Sequence, residues 1–156
     1  MGFKVSIEAN EKIELGLETV TSVIFDTDTP DDSNARSTDL GMGITIKGKI
    51  RANIGGIADD SIKLPAFALT PAENAKCYAN VSVEVISAGK VVRQITMDTA
   101  YVVSYKENFS DESGVGTFTI QLRQKKDKNS SVAYQGGFAY YLKGGKKRNG
   151  FYVKCG

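Results

Sequence analysis

Apolar and polar residues alternate with a period of two along most of this chain. Phe3, Val5 and Ile7 interleave with Lys4, Ser6 and Glu8, and Ile13, Leu15 and Leu17 repeat the pattern. Successive strand side chains point to opposite faces, so this alternation predicts half-buried β-strands. Val20 to Phe25 is more continuously apolar. Leu40, Met42, Ile44 and Ile46 alternate with Gly41, Gly43, Thr45 and Lys47, in a strand expected to continue to Ile50. Tyr78 to Ile86 alternates through Val81, Val83 and Val85, and Ser87-Ala88-Gly89-Lys90 predicts a hairpin turn into Val91 to Met97. The best-marked pair follows: Tyr101 to Tyr105 and Thr117 to Arg123 flank a polar stretch bearing Gly114 and Gly116. That spacing predicts two antiparallel strands joined by a long connection, Asn108 to Gly116.

Three stretches break the period. Asp26 to Asp39, with Asp28, Asp31, Asp32, Asn34 and Arg36, reads as a long polar loop, a kind that in compact domains is usually functional or mobile. Residues 59 to 78 predict one short helix: Ser61 is a candidate cap, and Thr70-Pro71 with Glu73 is a second candidate start. After Lys128 the pattern weakens to Val132 and Tyr134, Phe138 to Leu142, and Phe151 to Val153, with Asn149-Gly150 as a hairpin signal between the last two. Eight to ten short strands are expected with one helix, which makes an all-β fold, a barrel or a sandwich. Sixteen glycines against three prolines suit its many turns. At 156 residues one domain is expected, with residues 1–137 as the β-barrel and 138–156 as a basic strand or hairpin extension of it.

Charge divides this chain unevenly. From Lys125 onward eight Lys and Arg face Asp127 alone, a net +7, which leaves −5 on residues 1 to 124 and +2 overall. A basic tail suits nucleic acid or anionic lipid, and it equally suits a self-complementary surface that meets an acidic body on the next copy. The acidic complement lies in the same chain, which favours self-complementarity. Cys77 and Cys155 are far apart and outline no disulfide framework, which is compatible with synthesis in a reducing cytoplasm. The start, Met1-Gly2-Phe3-Lys4, has no basic region leading into an apolar run, so no signal peptide is expected, and no stretch is apolar enough for a membrane helix. Gly2 with Ser6 fits the outline of a myristoylation motif, but that outline is too permissive to count.

Motifs for chemistry are missing. The absence of histidine removes Ser-His and Cys-His nucleophilic catalysis and histidine-bearing metal sites. Counting an EF-hand from Asp26 puts Asp31 where glycine is required and Ser37 where an acid is required. Asp26-Thr27-Asp28 lacks the glycine of an aspartic-protease triplet, and Gly114-Val115-Gly116 opens a strand rather than a nucleotide-binding helix. Nothing singles out a carboxylate pair for glycoside hydrolysis. The sequons at Asn80, Asn108 and Asn129 have no secretory context. Tyr140, Tyr141, Phe151 and Tyr152 among the basic residues keep open a binding module for carbohydrate or single-stranded nucleic acid, working as a monomer through Lys146, Lys147 and Arg148. No catalytic residue, cofactor or metal is expected.

Ala100 to Phe109, the polar loop after it, Thr117 to Leu122 and Lys125-Lys126 resemble the C-terminal half of Hcp-like tube proteins of type VI secretion systems, in forms found outside the Proteobacteria. Val83 to Arg93 and the loop Asp31 to Asp39 fit the same set, so that the resemblance spans residues 3 to 137. It implies a β-barrel of two packed sheets with a side helix and an extended loop, an architecture shared with phage tail tubes. It also implies a hexameric ring, stacked into a tube that a contractile sheath fires. Heterologous contacts whose rotation closes give such rings. The partners implied are the chain itself and sheath, spike and effector proteins, with synthesis in the cytoplasm and export within the apparatus. Candidate interface residues are Asp31, Asp32, Asn34, Arg36 and Asp39 in the loop, Glu112 in the hairpin connection, and Lys146, Lys147 and Arg148 in the tail.

Overall fold

In a computed structural model, residues 1–28, 41–51, 60–125, 127–128, 132–136 and 151–154 are described. Nine strands carry the fold: β1 (Gly2–Glu8), β2 (Lys12–Leu15), β3 (Val20–Asp28), β4 (Gly41–Ile50), β5 (Ala79–Ser87), β6 (Lys90–Ser110), β7 (Val115–Gln124), β8 (Ala133–Gly136) and β9 (Phe151–Lys154). One helix, α1 (Leu64–Ala68), lies between two 3-10 turns, Asp60–Lys63 and Ala75–Cys77. The strand order is β2-β1-β5-β6-β7-β4-β3, with β8 joined to β6 and β9 to β8. Every pairing is antiparallel.

The alternation in the sequence becomes the core directly. Val5 and Ile7 of β1 and Val81 and Val83 of β5 face Ile44 and Ile46 of β4 and Ile120 and Leu122 of β7, all buried in one cluster. Each such side chain stabilises the fold by roughly 1.5–3 kcal/mol through removal of apolar surface from water. The strands therefore form two layers, β2-β1-β5 and β7-β4-β3, packed on each other. β6 belongs to both. Its first half pairs with β5 and β8, and its second half, from Ala100, pairs with β7.

A strand of 21 residues cannot cross between layers while flat, and β6 bends at bulges. Its pairings skip one residue near Val92, one between Met97 and Ala100, and one at Val103. Each bulge adds an unpaired residue, increases local twist and resets the inward phase. The inward residues are accordingly Ile95, Met97, Ala100, Val102 and Tyr105, while Val103 is turned out and 47% exposed. β3 carries a similar irregularity between Val20 and Ser22.

At the bend lies Gln124, a polar side chain in the core with 1% of its surface exposed. Its Oε1 accepts the Thr99 N–H at 3.1 Å. Its Nε2 donates to Asp98 Oδ1 at 2.7 Å and to the Lys128 carbonyl at 2.9 Å. Next to it the Lys125 N–H donates to the Thr99 carbonyl at 2.8 Å. The Thr99 N–H, which the bulge removes from the ladder, is thus satisfied by the Gln124 amide and the Thr99 carbonyl by the Lys125 N–H, as buried polar groups require.

Several sequence expectations change. Asp26 to Asp28 are not loop: they extend β3 and pair with Gly43 to Gly41. The connection from β6 to β7 is not long either, because both strands continue into the polar stretch and leave only Asp111 to Gly114 as a tight turn. Val91 to Met97 and Tyr101 to Tyr105 are one strand rather than two. The helix begins at Leu64 with Pro65 in its first turn and buries Leu64 and Phe67, whereas Thr70-Pro71 starts no helix. Ser61 lies buried in the 3-10 turn before the helix, and Lys63 occupies the N-cap position without a side-chain cap. The Ser87–Lys90 turn is a hairpin as expected, with Ala88 and Gly89 at φ of 52° and 74°. Phe151–Lys154 pairs with Ala133–Gly136, and the hairpin expected at Asn149-Gly150 lies outside the described residues.

Two substitutions test this core. Gln124→Ala should cost about 3 kcal/mol, from unpaired Thr99 N–H and Lys128 carbonyl groups and the space left behind. A lower urea midpoint with unchanged slope would show it, and a loss under about 1 kcal/mol would remove Gln124 from this role. Gly48 faces the Phe118 ring, and a Cβ there would lie 2.6 Å from the Thr19 carbonyl oxygen. Backbone blocks that position, so Gly48→Ala should destabilise by about 1–3 kcal/mol, read from the same titration.

Candidate assembly surfaces

The two ends of the strand order differ. At one end, β2 is sealed by the chain itself. The Glu14 N–H donates to Asp60 Oδ2 at 3.0 Å, and Lys63 Nζ donates to the Lys12 carbonyl at 3.3 Å. Lys63 is fixed in turn on Asp60 at 3.3 Å. Lys12 and Glu14 pair at 3.0 Å on the outer face, and the Glu14 carboxylate raises the Lys12 pKa by hydrogen bond and charge. Thus the 3-10 turn occupies polar groups of this edge that would otherwise offer themselves to another strand.

At the other end, β3 runs nine residues and, among the described residues, its ladder is with β4 alone. Its inward side chains, Val23 and Phe25, pack on the core, and Phe25 meets Tyr134 of β8 at 5.6 Å. Ile24 points outward and is 51% exposed. Long edge strands are templates for pairing with another chain, and proteins usually blunt them with charge, proline or a cover. Ile24 does none of these.

The β6–β7 hairpin forms a second surface. On its inward face Tyr105, Glu107 and Phe109 stand opposite Ile120, Phe118 and Gly116. Tyr105 still packs on the core, and its hydroxyl hydrogen-bonds the Glu107 Oε1 at 2.6 Å. The core ends there. Beyond it the face continues into solvent, and Phe109 lies over Gly116 with 66% of its surface exposed. The turn closes through Gly114, at φ of 61°, whose N–H donates to the Ser110 carbonyl at 3.0 Å. Asp111 and Glu112 are exposed in this turn.

A groove opens at the far end of the same strands, between α1 and the sheet. It has a volume of about 200 Å³ and is lined by Phe67, Cys77, Tyr78, Tyr101 and Val102. Tyr78 and Tyr101 meet edge to face at 6.3 Å and 88°. Lys125 Nζ stands 5.5 Å from the Tyr78 ring centroid. The Cys77 thiol donates to the Ala72 carbonyl at 3.7 Å. A second hollow, about 350 Å³, crosses the outer face of β2, β1 and β5 and is lined by Lys4, Ser6, Glu14, Ser82 and Glu84. Among the described residues no three His, Cys, Asp or Glu side chains gather as a metal site.

Of the interface residues expected from sequence, Glu112 is exposed at the hairpin tip. Asp31, Asp32, Asn34, Arg36, Asp39, Lys146, Lys147 and Arg148 lie outside the described residues. Sequence reasoning missed the β3 edge and the groove, whereas the connection Asn108 to Gly116, which carries Phe109 and Glu112, was already a candidate contact with a neighbouring subunit.

No family model and no curated protein matches the sequence. Solved structures match almost end to end. Hcp1 from Flavobacterium johnsoniae aligns with a TM-score of 0.50 and 18% identity, over 96% of this chain and 99% of that one. Hcp1 from the E. coli EAEC 042 pathovar aligns with a TM-score of 0.57 and 11% identity, over 99% of both chains. A chain of the 6-fold symmetrised anti-feeding prophage baseplate aligns with a TM-score of 0.50 and 12% identity, over 86% of this chain and 93% of that one. The fold is that of the Hcp and tail-tube-like proteins: a mainly antiparallel barrel of two packed sheets with one short helix.

Proposed function

We propose that this protein is a structural subunit that assembles into rings, and through stacked rings into the tube of a type VI secretion or related contractile injection apparatus, without catalysis. The observation that carries the reading is the contrast between the edges: β2 is closed by Asp60 and Lys63 while, among the described residues, β3 pairs with β4 alone and carries an outward Ile24. A monomer gains nothing from a long uncovered edge. A ring subunit uses it for lateral contact, and six copies closing head to tail leave no free edge. The Hcp-like fold supports this, as does the occurrence of the fold in a 6-fold symmetrised baseplate. Sheath, spike and cargo proteins are then the expected partners, and the tube leaves the cytoplasm as part of the apparatus.

The candidate interface residues fit the same reading. Asp31, Asp32, Asn34, Arg36, Asp39 and Glu112 belong to the acidic body, and Lys146, Lys147 and Arg148 to the basic tail. Opposite charge on successive copies fixes register and speeds association.

Ile24→Lys places a charge on the outward face of the edge. The folded monomer should keep its stability within about 0.5 kcal/mol, while sedimentation shows rings giving way to monomers. Rings formed normally by this variant would remove β3 from the lateral contact. The variant carrying Lys146→Ala, Lys147→Ala and Arg148→Ala should assemble only at higher protein concentration. Wild-type assembly should weaken between 0.1 and 1 M salt, where the screening length falls from about 10 Å to about 3 Å, and this variant should lose most of that dependence. Light scattering across the salt series measures both.

A further inference from the structure

The outward face of β4, β7 and the second half of β6 carries positive charge at its centre. Ile44, Ile46, Phe118, Ile120 and Leu122 point into the core, so the residues that alternate with them point out. Register then builds rows across the three strands. Lys47 stands opposite Thr119, and Thr119 opposite Lys106. In the next row Lys49 stands opposite Thr117, and Thr117 opposite Asn108. Lys47, Lys49 and Lys106 are all exposed. Among the described residues none of the three forms an ion pair.

The acids nearest this face stand at its margins. Glu18 is held by Arg51 at 2.6 Å. Asp26 lies in the row of Gly43 and Arg123, four residues along β4 from Lys47 and so about 13 Å away by strand geometry. Asp111 and Glu112 occupy the turn beyond Ser110. The Glu107 carboxylate is turned to the opposite face, where the Tyr105 hydroxyl donates to it at 2.6 Å.

Spacing and surroundings decide which anion this face fits. No aromatic ring stands in the two lysine rows, which removes the stacking platform that single-stranded nucleic acid needs. Duplex binders neutralise on the order of 6–10 phosphates, more than three lysines supply. Lys47 and Lys49 are two residues apart on one strand, a separation of about 6.8 Å. Carboxylates two residues apart on another extended chain have that same separation, because both follow the strand repeat. Lys106 lies two strand widths from Lys47, about 9.6 Å, on a flexible stem that swings toward the same line. Thr117 and Thr119 fill the space between with hydroxyl donors.

We propose that this face docks an acidic polypeptide segment of a partner protein in extended conformation, with carboxylates at alternate positions seated on Lys47 and Lys49 and a further one on Lys106. Opposite charges in matched register both steer such an encounter and fix its alignment. The site goes beyond ring and tube assembly and does not depend on it.

The test titrates the full chain against labelled ten-residue peptides at 50 mM salt and reads fluorescence anisotropy. One peptide alternates Glu and Ser, and the second has the same composition with its five Glu in a block. The alternating peptide should bind at least threefold tighter. Lys47→Glu with Lys106→Glu should weaken its binding at least tenfold. Lys76→Glu with Lys128→Glu, which changes net charge equally but away from this face, should weaken it less than twofold. Equal binding of the two peptides by the unaltered protein, or equal losses in the two double variants, overturns the proposal, as does no binding at all. The peptide comparison needs no variant, so the proposal stays open to refutation even if a double variant misfolds. A ten-nucleotide oligothymidine that binds as tightly as the alternating peptide overturns the polypeptide assignment in favour of nucleic acid. None of these outcomes bears on ring formation, which sedimentation reads separately.

Discussion

The bend in β6 is the constraint on which the rest of this structure depends. A single strand supplies both layers of the barrel, so the angle between the layers is set where that strand turns. Bulges alone would leave backbone N–H and carbonyl groups unpaired in a dry core, at a cost of about 1–3 kcal/mol each. The Gln124 amide, at the end of β7, takes up the Thr99 N–H of the bulge and also binds Asp98 of β6 and the Lys128 carbonyl where the chain leaves the sheet. Once the bend is fixed, β5 and β8 have a defined place on one side and β7 on the other. The groove follows from the same bend, because Tyr101 and Val102 lie just past it and α1 packs beside them.

The far end of β6 carries the opposite consequence. From Lys106 onward the residues of β6 are exposed, although Phe118, opposite Glu107 on β7, is still buried in the core. Hydrophobic residues scattered on a surface are ordinary. Phe109 is different because its place on the inward face is set by register, over Gly116 and beside Ile50. A one-residue slip would turn it to the other face, and the paired strands on both sides of β7 forbid that slip. The exposed ring is thus held in position by the whole ladder.

How much of this was legible in the sequence depends on what kind of signal each feature leaves. Alternation in β1, β2, β4, β5 and β7 translated into strands with the expected faces, because a period of two records burial on one side and nothing else. β6 was read as two strands, Val91 to Met97 and Tyr101 to Tyr105, with no sign of the bulge that turns Val103 outward. Its inward residues are spaced 2, 3, 2 and 3 from Ile95 to Tyr105, since each bulge inserts a residue that no local pattern announces. Polar residues misled in two places. Asp26 to Asp28 and Asn108 to Ser110 look like loop because they are hydrophilic, but a strand that leaves the core or runs along an edge is hydrophilic too. The surfaces proposed for assembly were largely illegible. Whether an edge is open depends on which strand ends the order, and that in turn depends on where Asp60 and Lys63 fold.

The low identity to structures of the same fold follows from the same physics. Between 11% and 18% of residues agree over nearly the whole length of this chain and the two Hcp1 chains. A core of Val, Ile and Leu on alternating positions tolerates exchange among those residues so long as volume and pattern persist. What such a barrel has to keep is pattern and bulge position rather than residue identity. Such a barrel can therefore drift far in sequence while its layers and its bend stay where they are.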